Sequence, residues 1–123
     1  MGQLTTYQNY IDGQWSDSVS GETYTITNPA HKSQVLGRFQ RSNNEDAVRA
    51  IEAARNALDG WASTPAPQRA AILFKALQLM EARGDELARS ITIEEGKPIG
   101  DAMGEVKRSM NITEYAAGEG RRM

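Results

Sequence analysis

The sequence predicts an α/β fold, with short antiparallel strands over about residues 7–40 followed by about four helices over about 44–123. Two observations carry this. An Asp12-Gly13 pair sits between short runs that contain aromatics, and the apolar period changes from strand-like to helix-like after Phe39. The 123-residue length allows one domain at most, yet is long enough to bury a core.

Each element has its own signature. Gln8-Asn9-Tyr10-Ile11 leads into Asp12-Gly13 and out through Gln14-Trp15-Ser16, the pattern of a tight hairpin. Glu22-Thr23-Tyr24-Thr25-Ile26-Thr27 alternates and is rich in β-branched and aromatic residues, so it reads as a strand stopped by Asn28-Pro29. A further strand is expected at 34–39. Ser42-Asn43-Asn44-Glu45 has the spacing of a capping box. Ala47, Val48, Ile51, Ala54, Leu58 and Trp61 then follow a 3.6 period, predicting an amphipathic helix over about 44–62. Ser63-Thr64-Pro65-Ala66-Pro67 breaks it. A second helix opens at Pro67 and runs to about 83–84. Its Ile72, Leu73, Phe74, Ala76, Leu77, Leu79 and Met80 cover more than one face, so it needs partners on two sides. A third spans about 85–95, with Leu87, Ala88 and Ile91 inward, and stops at Gly96-Lys97-Pro98. The last runs from Ile99, with Ala102, Val106, Met110 and 113–117 on one stripe.

Composition excludes several chemistries. There is no cysteine, hence no thiol nucleophile, disulfide or Cys-ligated zinc among these residues, and His31 is the only histidine. With 14 basic against 16 acidic residues the charge is near balance, so neither nucleic acid nor an anionic membrane is the expected partner. The N-terminus lacks a basic and apolar leader, and no apolar run approaches a bilayer span. A cytoplasmic protein is expected. Met1-Gly2 with Thr6 fits the N-myristoylation pattern only superficially, since that pattern is short and frequent.

Several segments together resemble the NAD(P)-dependent aldehyde dehydrogenases. Asn9-Tyr10-Ile11-Asp12-Gly13-Gln14-Trp15 is similar to their opening hairpin, and Ile26-Thr27-Asn28-Pro29-Ala30 to a second signature. Asp46-Ala47-Val48 through Trp61, Pro65, Arg69-Ala70-Ala71-Ile72-Leu73, Asp85-Glu86-Leu87-Ala88 and Glu94-Glu95-Gly96-Lys97-Pro98 match the helices that follow. Gly104-Glu105-Val106 and Tyr115 to Arg122 resemble the helix that leads to the oligomerisation arm. The resemblance runs from Tyr10 to Met123. Family members are several times longer, so residues 1–123 look like the N-terminal part of the dinucleotide-binding domain, with the catalytic and oligomerisation domains outside it.

The resemblance implies oxidation of a small-molecule aldehyde to the acid with NAD or NADP, through a cysteine thiohemiacetal and a Glu-activated water. None of the catalytic or cofactor-binding groups falls in this stretch, and no Gly-rich dinucleotide loop is present. The isolated chain is therefore expected to be inactive, and the intact enzyme to be a homo-oligomer. Arg108 aligns with the helix that lines the aldehyde tunnel. A guanidinium there would bind the distal anion of an acid semialdehyde such as succinate semialdehyde. The bland alternative is a solvated arginine beside Lys107. The carbonyls of Ile26 and Thr27 with Glu94 are the candidate ligands of a monovalent cation, against a plain surface acid; many members carry Asp at the position of Glu94.

Trp15, Trp61 and Phe74 read as packing residues, and His31 as a solvated loop residue. Glu94 and Glu95 are adjacent on a helix and do not face each other, which argues against paired-carboxylate catalysis. A second hypothesis is a non-catalytic module that associates through apolar helix faces.

Overall fold

The structure, a computed structural model, describes residues 4–122. Met1-Gly2-Gln3 fall outside it, and with them the start of the acylation pattern. The chain divides into two compact units, residues 1–62 and 63–123.

The first unit holds five strands and one helix: β1 (Thr6–Tyr7), β2 (Asn9–Ile11), β3 (Gln14–Ser16), β4 (Thr23–Thr27), β5 (Val35–Gln40) and α1 (Asn44–Ser63). β2 and β3 form the antiparallel hairpin expected from Asp12-Gly13. Both turn residues have positive φ, 53° at Asp12 and 75° at Gly13, which is what a two-residue hairpin turn demands. Tyr10 and Trp15 face each other across it with ring centroids 4.9 Å apart.

The second sheet has the order β1-β5-β4. β4 pairs antiparallel with β5, as expected. β1, which the sequence did not reveal, pairs parallel with β5, so the strands are not all antiparallel. Opposite Ile26 and Thr27 the register slips from Gly37 to Val35, leaving Leu36 as the extra residue of a bulge. The loop between β4 and β5 is closed by Asn28, whose Oδ1 accepts from the Ala30 N–H at 2.9 Å and whose Nδ2 donates to Gln34 at 2.9 Å.

α1 starts one residue later than the Ser42–Glu45 box would place it. Asn43 Oδ1 accepts from the backbone N–H groups of Glu45 (2.8 Å) and Asp46 (3.3 Å), and Asp46 Oδ2 accepts from the Asn43 N–H at 3.0 Å. The reciprocal logic holds, but the pair is Asn43 and Asp46. The reason is tertiary: the Ser42 hydroxyl accepts from Asn9 Nδ2 at 2.8 Å and is not turned to the helix. The apolar stripe of α1 is present, yet Val48, Ile51, Leu58 and Trp61 are all exposed.

The second unit is three helices, α2 (Ala66–Ala82), α3 (Gly84–Glu95) and α4 (Ile99–Arg122). α2 begins beside Pro65 and Pro67, where a missing N–H costs nothing. One of its faces meets α4: Ala70 and Ala117 are buried, and a methyl on Gly120 would lie 3.2 Å from Ala70 Cβ. Arg121 lies over the Phe74 ring at 4.5 Å. Its other face leaves Ile72, Leu73 and Leu79 exposed. α3 packs on α4 through Ala88, Ala102 and Val106, flanked by Leu87, Ile91 and Met110, the residues its periodicity had placed inward.

Candidate functional site

Chemistry-bearing side chains gather where α3 passes into α4. α3 ends at Glu95, and Gly96 takes the left-handed conformation (φ 76°), its N–H donating to the Thr92 carbonyl at 2.9 Å. Lys97 and Pro98 complete the connector. The Pro98 carbonyl then accepts from Asp101 and Ala102 in the first turn of α4. Lys97 is more than the end of a stop signal. Its Nζ lies 2.6 Å from Glu95 Oε2 and 2.6 Å from Glu105 Oε1, so one ammonium joins the last residue of α3 to the second turn of α4. Hydrogen bonds to both carboxylates, that to Glu105 first, hold the Lys97 pKa above its ordinary value.

Arg108 lies one turn beyond Glu105 on α4, exposed. Among the described residues no carboxylate forms a salt bridge with it. On the same helix, a groove of about 370 Å³ between Gly84-Asp85 and α4 is lined by Met103, Gly104, Val106, Lys107 and Met110. Its wall is almost entirely apolar, and Arg108 does not line it.

The other candidates are placed as follows. Ile26 and Thr27 lie at the bulged end of β4 in the first unit, and Glu94 in the last turn of α3 in the second. Among the described residues no group of three or more His, Cys, Asp or Glu could hold a metal ion. His31 is exposed in the loop after Asn28, its N–H on the Asn28 carbonyl at 3.1 Å.

Sequence reasoning also missed a buried carboxylate. Asp46 is 2% exposed. Besides the Asn43 N–H it accepts from the Val19 N–H at 2.9 Å, fastening the loop before β4 to the start of α1. These backbone donors, Asn43 first, hold its carboxyl below the usual range; burial opposes them and Arg49 assists. Gln40 works alongside it, accepting from the Ser18 N–H at 2.8 Å and donating to the Tyr7 carbonyl at 3.1 Å. Both are structural groups. The β5-to-α1 connection is the one strand-to-helix turn among the described residues, and its helix N-terminus is already capped by Asn43 and carries the Asp46 carboxylate.

The profile of the aldehyde dehydrogenase family matches residues 15–123. The chain belongs to that family. This aldehyde dehydrogenase chain is 45% identical over 108 residues to an alpha-ketoglutarate semialdehyde dehydrogenase of Haloferax volcanii, covering 88% of the chain and 22% of the relative. It is 45% identical over 115 residues to malonate-semialdehyde dehydrogenase 1 of Geobacillus thermodenitrificans, covering 94% of the chain and 24% of the relative. Its fold superposes on an NAD-dependent aldehyde dehydrogenase from Sinorhizobium meliloti with a TM-score of 0.91 at 34% identity, over 98% of this chain and 24% of that one. The chain therefore spans about a quarter of the length of the proteins it matches. No helix among the described residues is long and apolar enough to cross a membrane.

Proposed function

We propose that this chain is part of a longer NAD(P)-dependent enzyme that oxidises an acid semialdehyde, such as succinate semialdehyde, to the dicarboxylic acid, and that Arg108 binds the distal carboxylate. The observation that carries the second half is the state of Arg108: an exposed guanidinium on α4, one turn past the Lys97 clamp, with no carboxylate partner among the described residues. A planar fork of donors matches a carboxylate, and such a charge-assisted contact contributes about 1.5–3 kcal/mol. The names of the two semialdehyde dehydrogenases above support the substrate class.

In this reading the chain supplies recognition and none of the bond-making. It contains no cysteine, so the nucleophile comes from the remainder of the enzyme. The test is Arg108→Leu in the intact enzyme. The kcat/KM for succinate semialdehyde should fall about 10- to 100-fold, mostly through KM, with little change for a neutral aldehyde of the same length. Equal losses on both substrates would refute the role.

The same proposal places the enzyme in the cytoplasm as a homo-oligomer. It also keeps a monovalent cation as a ligand of the intact enzyme. Replacing sodium and potassium by choline is its test, and unchanged activity and stability would discard it. The exposed Ile51, Leu58, Ile72 and Leu79 favour a second reading, a non-catalytic module that associates through its helices. Sedimentation of the isolated chain as a monomer would argue against it.

A further inference from the structure

We propose that Lys97 is a positioning residue: by holding Glu95 and Glu105 at once it fixes how α4 leaves α3, and thereby where Arg108 stands. The proposal rests on the Arg108 reading for its functional half only.

The seam between α3 and α4 buries two alanines and one valine, with Leu87, Ile91 and Met110 packed against them only partly buried, and among the described residues it contains no polar contact of its own to set the register. The connector contributes only Gly96, Lys97 and Pro98. Against that background a single ammonium meets a carboxylate from each helix at 2.6 Å. The Lys97 side chain is 23% exposed, whereas Glu95 and Glu105 are about half exposed, so the cation is the screened centre of the cluster. Isolated surface ion pairs contribute little, but three charges in one network are a different case. Without the cation, Glu95 and Glu105 would repel each other across the seam. Glu105 and Arg108 stand three residues apart on one helix, so they share a face and move together. Lys97 does not line the groove beside α4, so its influence passes through the helix.

The first experiment is amide hydrogen exchange on the intact enzyme, read at the peptides of this chain. In Lys97→Gln, protection should drop at Gly96, Asp101 and Ala102, whose N–H groups close the connector, while the α2 amides keep theirs. Lys97→Arg should restore protection, and Glu105→Gln should give a smaller loss. Unchanged exchange at those three amides would overturn the clamp.

The second experiment uses the intact enzyme and the ratio of kcat/KM for succinate semialdehyde to that for a neutral aldehyde. Lys97→Gln should lower the ratio about two- to tenfold without lowering kcat for the neutral substrate. Adding it to Arg108→Leu should lower the ratio no further. A further fall in the double variant, or an unchanged ratio in the single one, would overturn the link to Arg108. An unchanged ratio in Arg108→Leu alone would instead refute the Arg108 reading, leaving the exchange result to judge the clamp.

Discussion

Among the described glycines of the first unit, Gly37 is the least able to accept a methyl group. It lies in β5 opposite Ile26, and its φ is not positive, so backbone strain is not the reason. The obstacle is steric. A Cβ would fall 2.6 Å from Cε2 of Tyr7 and 3.0 Å from the Thr5 carbonyl oxygen. Ordinary carbon contacts are about 3.5–4.0 Å, so the shortfall at the ring is about 1 Å. Each neighbour is held by a contact of its own. The Thr5 oxygen accepts from the Arg38 N–H at 2.9 Å, and the Tyr7 ring stacks on Phe39 at 4.8 Å with only 16° between the planes. Overpacking of this kind costs about 1–3 kcal/mol, of which the lost ring pair accounts for about 0.5–1.5. Tyr7 is 47% exposed and can swing outward, which favours the lower half of that range. Gly37→Ala should therefore cost about 1–2 kcal/mol and lower the urea midpoint by about 0.5–1 M. In a Tyr7→Ala background only the Thr5 contact remains, and the same substitution should cost less than half as much. An unchanged midpoint, or equal costs in the two backgrounds, would refute the steric argument.

Two other outcomes follow from packing and charge. The folded-state pKa of Asp46 lies below its unfolded value, so its contribution is present above the usual carboxylate range and is lost as pH falls through the lowered folded pKa. Asp46→Asn should be less stable at neutral pH and show a flatter loss of urea midpoint below about pH 4; parallel acid profiles would contradict this. Val106→Ala removes two methyl groups from the α3–α4 seam and should cost about 1.5–2.5 kcal/mol, read as a lowered Tm of the second unit. A change below about 0.5 kcal/mol would mean that the seam closes over the gap.

The parts legible in the sequence were those decided by local chemistry. Asp12-Gly13 fixes its turn through two positive φ angles, and Gly96-Lys97-Pro98 ends a helix because glycine accepts the left-handed cap. The inward residues of α3 and α4 follow from spacing alone. What escaped needed partners distant in sequence. β1 is two residues long, too short for any period, and exists through pairing of Thr6 and Tyr7 with Arg38 and Phe39. The cap moved from Ser42 to Asn43 because Asn9 engages the serine hydroxyl. Asp46 reads as one more acid in a first helical turn; its burial depends on Val19. At the candidate site, Arg108 was found through family resemblance, since nothing in the charge pattern separates it from Lys107. The Lys97 clamp was missed, although Glu two residues before and eight after that lysine was a visible signal.

Both tryptophans, Trp15 on β3 and Trp61 near the end of α1, belong to the first unit, and both are exposed. Three of the four helices among the described residues belong to the second. Indole emission and far-ultraviolet ellipticity thus watch different halves of one polypeptide. A single melt recorded both ways is a direct measure of how independently the two halves come apart, and no label has to be added to obtain it.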